Sequence, residues 1–178
     1  ELVTVTYQVF AFDLSVRTAY LDNQRGFFNG SSTFLSVNEL SEEPCTLLIE
    51  APKNINDWRV ATGLTRAKQT EKYQFGEYVA DNYQQLIDCP VAIGNFDAFE
   101  FTVEGVVHHM VFTSQHFGDR KRISNDLAKL CLHHITLFGE APFKEYWFIT
   151  HLLEKGFGGL EHKNSTILQA GRFDLPNP

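Results

Sequence analysis

The run Tyr146-Trp147-Phe148-Ile149-Thr150-His151-Leu152-Leu153, set between Pro142 and Gly156, limits this chain more than any other feature. Eight residues this apolar, bounded by a helix stopper and a flexible turn residue, read as a buried strand. A buried strand needs neighbours in a sheet, and the preceding residues supply candidates. Phe99 to Val103 and Val106 to Thr113 read as a hairpin turning at Glu104-Gly105. The pleat then puts Val107, His109 and Val111 on one face and Val106, His108, Met110 and Phe112 on the other. Between hairpin and buried strand, Leu127, Leu130, Cys131, His134, Ile135 and Phe138 recur at helical spacing and form one apolar stripe. Ser124 reads as the N-cap with Asp126 in the first turn. Gly139 falls where a left-handed C-cap is wanted, and Pro142 prevents continuation.

The first half is β-rich. Leu2, Val3, Val5, Tyr7, Val9 and Ala11 alternate with Thr4, Thr6, Gln8 and Phe10, which predicts a strand running from Glu1. Val16 to Leu21, Thr33 to Val37, Cys45 to Glu50, Trp58 to Ala61 and Tyr73 to Phe75 read as further extended segments, and residues 75–87 fit either helix or coil. Asp88-Cys89-Pro90 marks a boundary, because proline biases the preceding residue to extended geometry. The expectation is an α+β chain: a β-rich, sandwich-like domain over 1–87 and a sheet-and-helix unit over 88–178.

A net charge of -7 disfavours nucleic acid, which is bound mainly by Lys and Arg clusters that release counterions. The one dense basic run, Arg120-Lys121-Arg122, reads as a solvated turn. Cys45, Cys89 and Cys131 have no C-x-x-C spacing, which argues against a disulfide framework or a thiolate zinc site and for a reducing, cytoplasmic compartment. A removed leader would leave secretion open. No apolar run approaches the roughly 20 residues of a membrane span, so no membrane partner is expected.

Seven histidines invite a metal search. His108, His109, His116, His133, His134, His151 and His162 are followed four residues on by Phe112, Thr113, Arg120, Leu137, Phe138, Lys155 and Thr166, so no H-E-x-x-H occurs. His151 and Glu154 fall on opposite sides of a strand, and the adjacent pairs His108-His109 and His133-His134 point apart. Packed or solvated imidazoles are the expectation, with no catalytic and no metal-ligating residue in this chain. The constellation that carries chemistry is Gly158-Gly159-Leu160-Glu161-His162. Glycines let a peptide backbone come close, and a carboxylate on a rigid strand can pair with its free ammonium through a charge-assisted bond worth about 1.5 to 3 kcal/mol.

Several stretches together resemble the glycyl aminopeptidase family of thermolysin-like zinc peptidases. These are residues 13–22 (Asp13-Leu14-Ser15-Val16 onward), Gly26-Phe27-Phe28-Asn29-Gly30, Asp88-Cys89-Pro90-Val91-Ala92-Ile93-Gly94, Phe138-Gly139-Glu140-Ala141-Pro142-Phe143 and Gly158-Gly159-Leu160-Glu161-His162-Lys163-Asn164-Ser165-Thr166. The resemblance implies that 88–178 begin a thermolysin-like catalytic domain. It also implies that Glu161, with Gly158, Gly159, Leu160 and His162 around it, binds the amino terminus of a peptide. Related aminopeptidases read Gly-Ala-Met-Glu-Asn there; His162 departs from that Asn and matches the glycyl branch.

The family's zinc helix, third glutamate ligand, catalytic tyrosine and PDZ-like domain would follow Pro178. The resemblance therefore implies zinc in a longer parent that removes Gly or Ala from peptides, and none in this chain, which is expected to be an inactive interior fragment. The expected partners are a peptide with a free amino terminus and, through uncovered core surface, a second copy of the chain. A second reading is a non-catalytic β-rich module that binds peptide or sugar.

Overall fold

The computed structural model describes residues 2–175. Twelve strands build three sheets there. Strands β1 (Ala19–Leu21), β2 (Arg25–Phe28), β4 (Arg59–Thr62) and β7 (Val91–Gly94) form an antiparallel sheet in the order β1-β2-β7-β4, and β3 (Cys45–Ile49), β6 (Gly76–Ala80) and β5 (Thr65–Arg66) form a second. The third holds β8 (Asp97–Val103), β9 (Val106–Phe112), β10 (Glu145–Leu153), β11 (Phe157–Glu161) and β12 (Ser165–Gly171) in the order β11-β12-β10-β9-β8. Helices α1 (Tyr83–Ile87) and α2 (Arg120–Phe138) complete the described elements apart from two short 3-10 turns.

The first sheet is the middle layer, and its pleat explains why. Phe27, Ala92 and Ala61 stand in register across β2, β7 and β4 and pack with Val111, Trp147, Ile149 and Ile167 of the third sheet. The opposite face, with Phe28, Val60 and Val91, packs on Ile49, Tyr78 and Ala80 of the second sheet. Both faces of β7 are thus buried, which fits its apolar sequence Val-Ala-Ile-Gly. Because β7 follows Asp88-Cys89-Pro90 and bonds to β2 and β4, a division that keeps every sheet whole falls after Gly94, leaving Asp88 in a first unit with the first two sheets and the third sheet with α2 in a second.

The third sheet follows the expected pattern. Glu104 (φ 48°) and Gly105 (φ 79°) make the tight turn between β8 and β9, the double positive φ that a two-residue hairpin needs. β9 and β10 are parallel, joined through α2, and β10 is also parallel to β12, so the apolar run lies at the centre. Gly139 caps α2 at φ 84°, its N–H bonding to Ile135 O. One face of β10 and β12, with Trp147, Ile149, His151, Ser165 and Ile167, looks toward the first sheet; the other, with Tyr146, Phe148, Leu152, Thr166, Leu168 and Ala170, looks toward the α2 side. Among the described residues no helix is long and apolar enough to cross a membrane.

Five expectations are corrected. Residues 2–11 alternate but form no strand: Leu2 is 94% exposed, and within them only Ala11 O meets a neighbouring backbone, accepting from Leu21 N–H beside the Phe12–Tyr20 bridge. Alternation supplies a face, whereas a strand needs a neighbouring backbone to bond with. Glu1, where that expectation began, and the terminal Pro176-Asn177-Pro178 lie outside the described residues. Thr33 to Val37 is irregular between the 3-10 turns Gly30–Ser32 and Asn38–Leu40. Tyr73 is a turn residue at φ 65°, its ring wedged against Phe96 and Trp147. Residues 75–87 resolve into β6 and α1, the latter capped by Asn82.

The fifth correction concerns α2, which begins four residues before Ser124. Asp119 is its N-cap, accepting from the Lys121 and Arg122 amides at 2.8 and 3.3 Å. The basic run is therefore the first helical turn: Arg120 pairs with Asp97, and Arg122 donates to Leu175 O. An aspartate cap satisfies two open amides and meets the positive helix end, which outcompetes a serine inside the turn. Of the expected stripe only Cys131 is buried, and Leu130 and Phe138 face outward.

Candidate functional site

β11 is an edge strand, paired on one side only, with β12. Sheet edges present unpaired backbone N–H and C=O groups, which an extended peptide can bind by strand addition. Gly158 and Gly159 lie within this strand, not in a turn, and neither has a positive φ. What they contribute is a surface without side chains. A Cβ on Gly159 would sit 3.3 Å from Leu168 Cδ2 and 3.5 Å from Glu161 Oε1.

Register divides the four motif residues within β11 between two faces. Glu161 opposite Thr166, and Gly159 opposite Leu168, lie on the α2 side of the sheet with Tyr146 and Phe148. Leu160 and Gly158 lie on the other side, Leu160 packed against the core between the sheets and Gly158 beside Gln169, whose amide donates to Leu14 O. Glu161 is exposed, and its carboxylate makes no hydrogen bond or ion pair among the described residues. Tyr146 shares its surroundings: burial, and next the Glu161 charge, push that phenol up to about 12, so it stays a neutral donor, bonded at 3.2 Å to Ser165 O.

His162 does not join Glu161. Its side chain, 6% exposed, turns toward the first unit, where Nδ1 lies 3.0 Å from Asp88 Oδ1, and Nε2 is buried with no partner among the described residues. The other Asp88 oxygen accepts the Lys163 amide at 2.9 Å. Asn164 follows, donating from Nδ2 to Gly63 O at 2.8 Å, with its Oδ1 3.6 Å from Cys89 Sγ. Asp88, Asn164 and Tyr146 were not singled out from the sequence. The stretches containing Asp88 and Asn164 were visible, but a contact spanning 74 residues leaves no trace in local spacing.

Among the described residues no group of three or more His, Cys, Asp or Glu side chains is arranged to hold a metal ion. His109 lies between Glu100 and Glu145, which approach opposite ring nitrogens at 3.1 and 3.3 Å, and it stacks on Trp147. His108 bonds Val106 O, and His151 is enclosed beside Phe27 of β2 and Thr113, the residue after β9. The histidines expected to be packed imidazoles at 108, 109 and 151 are fully enclosed. What this surface can do is hold a cation at Glu161 beside an open strand edge.

A family model described as the peptidase M61 N-terminal domain matches residues 1–95. A crystal structure described as an aminopeptidase N family protein from Idiomarina loihiensis is 47% identical, with a TM-score of 0.90 over 94% of this chain and 28% of that one. An M1 zinc metallopeptidase from Deinococcus radiodurans is similar in fold, with a TM-score of 0.55 at 13% identity over 91% of this chain and 39% of its own. A variant of that protein bound to a Tyr-Ser-Ala substrate gives a TM-score of 0.52 at 14% identity, over 84% and 37%. The chain thus spans between about a quarter and two fifths of these structures. No curated protein matches it.

Proposed function

Because the chain belongs to the peptidase M61 N-terminal domain family, we propose that it forms part of a zinc aminopeptidase of the glycyl type, removing small amino-terminal residues such as Gly and Ala from peptides. The third sheet and α2 then begin a thermolysin-like catalytic domain, and the zinc, which supplies Lewis-acid activation of the scissile carbonyl and water, is held by residues outside this set. The observation that carries the reading is the exposed, unpartnered Glu161 carboxylate at the end of a one-sided, glycine-lined strand.

In this reading the backbone edge of β11 receives the peptide in extended form. Glu161 then grips the leading ammonium, which fixes where the chain starts and so which bond is presented. Gly159 leaves room for the incoming backbone on that face, and Leu160 anchors the strand from beneath. The 47% identity to an aminopeptidase N family protein supports an aminopeptidase over other peptidases. The unpaired Cys45, Cys89 and Cys131 support a reducing compartment.

Hydrolysis of an alanyl or glycyl reporter by the zinc-loaded full-length protein, set beside the same reporter N-acetylated, tests the proposal. We expect the free-amine substrate to be cleaved and the acetylated one to be slower by a factor of about 100 or more, since a neutral amide cannot replace the charge-assisted bond. A chelator should abolish the activity. Comparable rates on the two substrates would exclude an amine-anchored site.

A further inference from the structure

The geometry points to Asp88 as a positioning residue for Glu161: reaching over from the first unit, it clamps the turn immediately after the substrate strand. This rests on the amine-binding role proposed for Glu161. Asp88 follows α1, and its two oxygens take the His162 ring and the Lys163 amide at 3.0 and 2.9 Å. Because His162 Nε2 has no partner among the described residues, Asp88 is the only hydrogen-bond partner that orients the ring. The turn is closed within itself by His162 N–H to Ser165 O at 2.8 Å. Asn164 adds a third tie across the seam, to Gly63 O.

These ties converge on one place. Residues 162, 163 and 164 are each bonded to the first unit, whereas Phe157 at the opposite end of β11 is fully exposed. An edge strand has a single neighbour to hold it, so a carboxylate at its end inherits the mobility of the following turn. Fixing that turn from outside the sheet removes the freedom, and placing a binding carboxylate within a fraction of an ångström is what productive orientation needs. The clamp is not part of a sealed core. Asp88 is 30% exposed and, with Lys163, Asn164, Arg66 and Lys144, lines a cleft of about 930 Å³ between the units.

Steady-state kinetics of the full-length zinc-loaded protein on an alanyl reporter test this with three variants of the clamp, set beside Glu161→Ala. Asp88→Ala and His162→Leu should raise KM about tenfold while kcat changes less, the size expected for losing one charged hydrogen bond. His162→Asn, whose Nδ2–H can stand where Nδ1–H stands, should restore KM to within about threefold of the parent while His162→Leu does not. The inhibition constant of alaninamide, which carries the ammonium without a scissile reporter bond, should rise in parallel with KM. Unchanged KM and inhibition constant in Asp88→Ala and His162→Leu, with Glu161→Ala inactive, would overturn the positioning role and leave the amine site standing. Equal losses in all three variants, tracking a lowered Tm, would overturn it in favour of a purely structural tie. Full activity in Glu161→Ala would remove the amine site and this inference together.

Discussion

Replacing Glu161 by alanine in the full-length zinc-loaded protein is expected to lower kcat/KM on an alanyl reporter by about 10²- to 10³-fold while leaving zinc content and Tm unchanged. Part of that loss is the ion pair itself, about 1.5 to 3 kcal/mol. The rest comes from orientation, because a peptide no longer anchored at its first atom presents its scissile bond in many registers along β11. The fold has no use for the side chain: it is exposed and bonded to nothing among the described residues, so truncation opens no cavity and strands no partner. Glu161→Gln separates charge from shape. It should be nearly as inactive as Glu161→Ala, since the amide fills the same volume without the negative charge. A variant that kept its rate with a normal Tm would take Glu161 out of the site.

Acid should weaken the fold through His151, the second large effect. The ring is completely buried, edge-on to Phe27 at 4.6 Å, with Nδ1 3.3 Å from Thr113 Oγ1. Burial, and next the Arg25 charge, push its pKa from 6.5 down to about 4. The folded value lies below the unfolded one, so the unfolded chain takes up the proton first as pH falls. The contribution is complete above about pH 6.5, declines on acidification, and levels off below about pH 4. By pH 5 the cost is about 2 kcal/mol, a large part of a typical domain's stability. His108 and His109 are also pushed down by burial and act in the same direction. Urea unfolding at pH 7.5 and pH 5 measures the sum, and in His151→Gln the difference should shrink by about 2 kcal/mol. An unchanged difference in that variant would place the titration elsewhere.

Legibility followed locality. The hairpin at Glu104-Gly105, the buried strand around Ile149 and the Gly139 cap were readable because each rests on a turn residue or an apolar run that has one structural use. Residues 2–11 carry equally good alternation, yet apart from Ala11 O, which meets β1, their backbone finds no strand to bond with among the described residues, and a pattern cannot reveal a missing neighbour. Ser124 lost to Asp119 because both are good caps and Asp119 takes two open amides at the positive helix end, which the sequence alone does not rank. At the site, the glycines and Glu161 were visible as a motif, but the face each residue takes depends on the register with β12. The destination of His162 depends on Asp88, 74 residues away, which no local spacing encodes.

A crystal structure of the full-length zinc-loaded protein with alaninamide bound would test the central claim most directly. The ligand's amino nitrogen should lie about 2.7 to 3.0 Å from a Glu161 carboxylate oxygen, alongside the open edge of β11. An amine bound elsewhere, with Glu161 still facing solvent, would contradict the account.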